Sequence, residues 1–158
     1  MAAIASESDV SKALLHYHFI NRMRLLGEIV TELGQRLMAR EREALNGGEA
    51  TGVVDKLWHW TEAELRRGEL RALLELGTLR LPVVRQAKTE VRTARRTAST
   101  KTVEGVFVRL GLTPRVPVPV LAQASMVFID GLALAIDSDH DARSSFDVFW
   151  LAMLSLGN

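Results

Sequence analysis

An all-α fold is what the sequence predicts, on three observations. Apolar residues recur three and four positions apart through most of the chain. Alternating runs that would read as strands are few and short. The periodic segments are punctuated by Asn46-Gly47-Gly48, Gly68, Pro82, Gly111 and Pro119, residues that stop or start helices. Of 158 residues, 47% are apolar and 25% charged, so the chain can bury a core and does not have a disordered composition.

Each element follows from local signals. Ser11 can cap a short helix over 12–17, and Asn21 a long one running to about residue 45. In the long helix Leu26, Ile29, Val30, Leu33 and Leu37 make one apolar face, with Glu32, Arg36, Arg40 and Glu41 largely off it. Residues 53–67 form the next helix. Gly68 breaks it, and 69–79 forms a short third piece. Pro82 fits the first turn of a helix reaching about residue 110, which Gly111 ends. Its stretch is strongly basic: between residues 80 and 101, Arg80, Arg85, Lys88, Arg92, Arg95, Arg96 and Lys101 stand against one acid, Glu90. It carries a thin apolar stripe of Val84, Ala87, Val91, Ala94 and Ala98. Such a face is either solvated or set to meet an anion. Pro114, Pro117 and Pro119 mark a loop, and two helices close the chain over 119–136 and 142–156, the second capped by Asp141.

Those last two helices are apolar around their whole circumference, so they must be covered all round. A central core pair in a monomer would satisfy this. A dimer interface built as half of a four-helix bundle satisfies it better in so short a chain. Phe128, Leu132, Phe146, Phe149, Trp150 and Met153 are the expected contact residues of a homodimer.

Several classes are excluded or disfavoured. The chain has no cysteine, which rules out disulfides, thiolate catalysis and Cys-type zinc sites and fits a reducing cytoplasm. Its net charge is +1, so any nucleic-acid contact must come from a local patch. The first ten residues carry acids instead of a basic, then apolar, leader. Residues 118–136 approach the length of a membrane span, but Gln123, Ser125 and Asp130 interrupt them and acids follow, so no membrane association is expected. Neither a nucleophile–base pair nor a phosphate loop stands out, which argues against an enzyme, and no cofactor is implied.

The most specific signal lies near the start. Residues 4–19 (IASESDVSKALLHYHF), followed by Asn21, Arg22 and Leu25, resemble the helix-turn-helix of TetR-type transcriptional regulators. The matching positions are Ile4-Ala5 in the support helix, Val10-Ser11 at the turn, Leu15, Tyr17-His18-Phe19 at the end of the reading helix, and Asn21-Arg22 opening the next one. The resemblance implies a TetR-like fold, with residues 1–22 as a partial DNA-binding head and 23–158 as a ligand-binding and dimerisation body. It implies that Lys12, Ala13 and Leu14 face base edges, and that Ser11, His16, Tyr17 and Arg22 reach phosphates. His16 and His18 are two apart, too poorly placed on a helix to share a metal. Asp9 replaces the usual turn glycine, and His16 stands where the family has tyrosine.

The family's first helix is missing, since three residues precede Ile4. The chain as given is therefore expected to bind DNA weakly, and an in-frame upstream extension of about 20–30 residues with helical apolar spacing would complete the head. In the body, Met38, Trp58, His59, Phe107, Gln123 and Met126 are candidate walls of an effector pocket, each with core packing as its plainer role. The expected function is a cytoplasmic, ligand-responsive regulator of transcription, a repressor in its simplest form. A headless dimeric ligand-binding module is the alternative.

Overall fold

The computed structural model describes residues 22–46, 52–135 and 141–158, with 6, 7, 11 and 13 as single positions. It is all-helical. α1 spans Arg22–Leu45, α2 Val53–Arg67, α3 Glu69–Leu76, α4 Pro82–Arg109, α5 Val118–Leu134 and α6 Ala142–Ser155. Among the described residues the one β-type pairing is an isolated bridge between Pro114 and Gly157. No described helix is long and apolar enough to cross a membrane.

Local chemistry sets the boundaries. Gly68 takes φ +70°, a left-handed conformation open to glycine, and this lets α2 turn directly into α3. Asp141 caps α6, accepting a hydrogen bond from the Ser144 amide at 3.1 Å. α3 stops at Leu76, three residues short of the sequence expectation. Two constraints end it. The Gly77 carbonyl is taken by Lys88 Nζ at 3.0 Å, and Leu81 must be extended (φ −89°, ψ 133°) because Pro82 follows.

α1 and α4 are the spine of the molecule and run side by side in the same direction. Gly27 meets Val83, Gly34 meets Val91, and the Leu45 carbonyl accepts from the Arg109 guanidinium at 2.8 Å. A Cβ at Gly27 would lie 2.5 Å from Val83 Cγ1, and one at Gly34 2.4 Å from Val91 Cγ1, so the valines sit against the α1 backbone. This shifts the buried line of α1 to Gly27, Val30, Gly34 and Leu37, while Leu26, Ile29 and Leu33 are half-buried.

Two apolar clusters fill the body. One gathers Val30, Leu70, Leu73, Val84 and Leu132 around the first half of the spine. The other joins Val53, Leu57, Phe107, Phe146 and Trp150 at the far end, with Trp58 edge-on to Phe146 at 5.2 Å. Phe128 on α5 packs against both. Along α4 the buried line is Val84, Ala87 and Val91, then Ser99, Val103 and Val106. The expected continuation through Ala94 and Ala98 fails: Ala94 is exposed and Ala98 half-buried, because α4 there faces a gap.

Polar ties cross the layers. Arg40 of α1 donates from Nε and Nη2 to both oxygens of Glu64 in α2, each at 2.6 Å, and from Nη2 to Glu69 of α3 at 2.8 Å. Glu64 is 1% exposed, so this pair is desolvated and three helices depend on it. Its neighbours hold Arg40 firmly protonated: the Glu64 hydrogen bond is the largest effect and outweighs burial. Arg95 of α4 binds Asp130 of α5 at 2.7 and 3.4 Å. The loop before α5 is pinned to the segment after α6 by paired Thr113–Asn158 amide–carbonyl bonds of 2.9 and 3.1 Å.

Candidate effector hollow and dimer face

The hollow follows from how the spine is sequenced. Glycines on α1 let α4 approach closely over the first half. Over the second half α4 presents Ala94, Ala98 and Gly105, at offsets of four and eleven residues, which share one helical face. Small residues there leave space, and a Cβ at Gly105 would meet nothing within 4 Å. The result is a half-open hollow of about 790 Å³ between α1 and α4, in the size range of small-molecule sites.

Its floor is apolar. Leu45 and Val106 are buried, and Met38, Ala98 and Gly105 are half-buried. One acid is set into the wall: Glu41 of α1, only partly exposed, with Thr102 of α4 as its polar neighbour. Burial pushes the Glu41 carboxyl pKa upward, against the polar contact with Thr102 and the positive charge of Arg95. At the rim, one residue further along α1 and one residue back along α4, stand Arg42 and Lys101, both exposed. Neither makes an ion pair or side-chain hydrogen bond among the described residues. Arg109 closes the end through its bond to the Leu45 carbonyl.

The second feature is a face. Phe128 and Phe149 stack with centroids 4.1 Å apart and planes within 1°. Phe128 lies about as far before the α5–α6 connection as Phe149 lies after it, so the two helices form a hairpin. Away from the body, α5 exposes Val120, Val127 and Leu134 at successive intervals of seven, with Ala124 and Gly131 between them. α6 exposes Val148 and Leu151, with Ala152 beside them. Val127 is 61% and Leu151 74% exposed. A seven-residue apolar interval is the spacing of helices that pack along their length.

Comparison with family models, with curated proteins and with solved structures finds no match to this chain.

The structure redistributes the residues named from sequence. Of the six expected pocket walls, Met38 alone lines the main hollow. Trp58 and Phe107 are core, and Trp58 also has the Arg143 guanidinium 5.3 Å from its ring centroid. His59 is exposed on the outer face of α2, beside a shallow depression with Arg40 and Trp60. Gln123 and Met126 line a separate hollow of about 240 Å³ with Arg95 and Asp130, on the other side of α4. The six therefore do not form one site. The contact residues change too. Leu132, Phe146, Trp150 and Met153 are buried inside the protomer, and Phe128 and Phe149 are half-buried in their mutual stack. Large side chains go to the core here, and the medium-sized Val120, Val127, Val148 and Leu151 remain outside.

Sequence reasoning missed Glu41, Thr102 and Gly105. The recoverable signal was the Ala94, Ala98, Gly105 series: small residues on one face of a long helix signal either close approach or open space. Of the residues expected from sequence to contact DNA, Ser11, Ala13 and Arg22 are exposed. Lys12, Leu14, His16 and Tyr17 lie outside the described residues, as do most of the acids between α5 and α6.

Proposed function

We propose that this chain is the dimeric, effector-binding body of a TetR-type transcriptional regulator, joined through Arg22 to a helix-turn-helix head that reads DNA. The observation that carries the reading is the exposed apolar series Val120, Val127 and Leu134 on α5, paired with Val148 and Leu151 on α6. A two-fold partner covering that face would form a four-helix interface and hold two heads at a fixed separation. The hollow between α1 and α4 supports the second half of the reading. α1 begins at Arg22, where the sequence assigned to the head ends, so a ligand that changes the α1–α4 spacing would move the point at which the head joins the body. Regulation then follows as a population shift between head spacings that fit or miss the two half-sites. Cytoplasmic placement and a non-enzymatic role belong to the same proposal.

The test has two parts. Native mass spectrometry of the purified chain reads the subunit count, and two copies are expected. Selection from a random duplex pool, with the chain and with a version extended through in-frame upstream codons, reads DNA binding. Recovery of a two-fold symmetric sequence by the extended version supports the regulator; a monomer that enriches nothing in either form overturns it.

A further inference from the structure

The hollow carries more than a volume. Its charges are ordered along two parallel helices. Glu41 and Thr102 form an inner pair, one from α1 and one from α4. The next residue on α1 and the preceding one on α4, Arg42 and Lys101, form an outer pair of cations with no carboxylate partner among the described residues. Beyond the inner pair the floor is apolar, with Gly105 holding space open over buried Leu45 and Val106, and Asn46 and Arg109, the latter held on the Leu45 carbonyl, stand at its end. Gly105 lies inside an α-helix, where glycine costs about 0.5–1 kcal/mol relative to alanine, and nothing nearby would obstruct a methyl group.

A simple cation would satisfy Glu41 but would pass two unpaired positive charges at the mouth. A simple anion would satisfy Arg42 and Lys101 but would place its charge beside the Glu41 carboxylate. A compound carrying both charges on adjacent atoms satisfies both pairs at once. The geometry points to the α1–α4 hollow as a binding site for a zwitterionic amino compound, an α-amino acid with a large apolar side chain. The ammonium pairs with Glu41 beside Thr102, the carboxylate with Arg42 and Lys101, and the side chain lies in the space over Gly105. As a regulatory signal this rests on the function proposed above; as a binding event it stands on the hollow alone.

Isothermal titration of the purified full chain with L-phenylalanine and L-leucine tests it, against phenethylamine and 3-phenylpropanoate as the two half-molecules. The amino acids are expected to bind, and each half-molecule to bind about ten- to a hundredfold more weakly, the worth of one charge-assisted hydrogen bond. Glu41→Gln and the Arg42→Met/Lys101→Met pair should each weaken phenylalanine by a similar factor. Gly105→Leu, whose Cβ would meet no atom within 4 Å and whose branched end enters the apolar space, should abolish binding while far-UV circular dichroism stays unchanged. No heat with either amino acid, 3-phenylpropanoate binding as tightly as phenylalanine, or affinity unmoved by Glu41→Gln or Gly105→Leu would each overturn the assignment. Amino-acid binding that leaves subunit count and DNA affinity untouched supports the site and removes its regulatory role, which separates the two readings.

Discussion

Glycine shows how one residue type answers opposite demands in this protein. At Gly34 a Cβ would lie 2.4, 2.8 and 3.2 Å from three atoms of Val91, a buried β-branched side chain with little freedom to move aside. At Gly105 it would touch nothing within 4 Å. Gly34→Ala should therefore destabilise the fold by about 1–3 kcal/mol through overpacking. Gly105→Ala should stabilise it by about 0.5–1 kcal/mol, since the backbone is helical and the methyl group is unobstructed. Urea midpoints for the two variants would move in opposite directions; a loss at both would mean the hollow is closed in solution.

Glu41 adds a pH effect whose sign is fixed. Burial raises its pKa in the folded state above the 4.5 of an unperturbed carboxyl. Protonation therefore favours folding, and this contribution is present below pH 4.5 and lost as pH rises through the folded-state value. The Thr102 hydrogen bond and then the Arg95 charge, both from α4, oppose the rise, while Arg42 and Lys101 stand at the rim of the same hollow. Glu41→Gln should raise the denaturation midpoint at pH 7 and leave it unchanged near pH 4. The opposite pH pattern would show that the cations dominate burial.

Between elements, the decisive tie is Arg40 with Glu64 and Glu69. Glu64 is almost wholly enclosed, and Arg40→Met strips it of both short hydrogen bonds, leaving the half-exposed Arg67 at 3.7 Å as its remaining cation, so the change should cost about 3 kcal/mol. Adding Glu64→Leu removes the stranded charge and should recover most of that loss. A double variant no more stable than the single one would mean that the pair organises the α1–α2–α3 packing beyond its own charge balance. This scale also shows what the sequence made legible. The bounds of α2, α4 and α6 follow from breakers and caps: Gly68, Pro82 and Asp141 each act locally, and local signals need no knowledge of the fold. The buried lines within helices are less legible. Leu26, Ile29 and Leu33 outrank Gly27 and Gly34 on any apolarity scale, yet the glycines are the buried face because α4 lies on them. Arg40 and Glu64 are 24 residues apart, and no periodicity links them. The candidate site was the least legible part, since a hollow is defined by what two distant helices leave unfilled.

For the whole molecule, the proposed dimer turns on which face of the α5–α6 hairpin is free to meet another chain. Apolarity around the full circumference was visible in the sequence; the division into inner and outer residues was not, because it depends on where α2, α3 and α4 press against the hairpin. The two sets can be told apart by what substitution does. Leu132 is 5% exposed, so Leu132→Ala should cost about 2–5 kcal/mol of folding stability at any protein concentration. Val127 and Leu151 stand outside the protomer, so Val127→Asp and Leu151→Asp should leave the protomer's helical content intact. In a dimer, each would place a carboxylate against apolar surface at the two-fold contact, twice over by symmetry. Sedimentation equilibrium should then read one copy for the aspartate variants and two for the parent. The parent's thermal midpoint should rise with concentration while theirs does not. If the parent sediments as one copy, the exposed valines belong to a surface with another use, and the paired heads that two-site DNA reading requires would be lost with it.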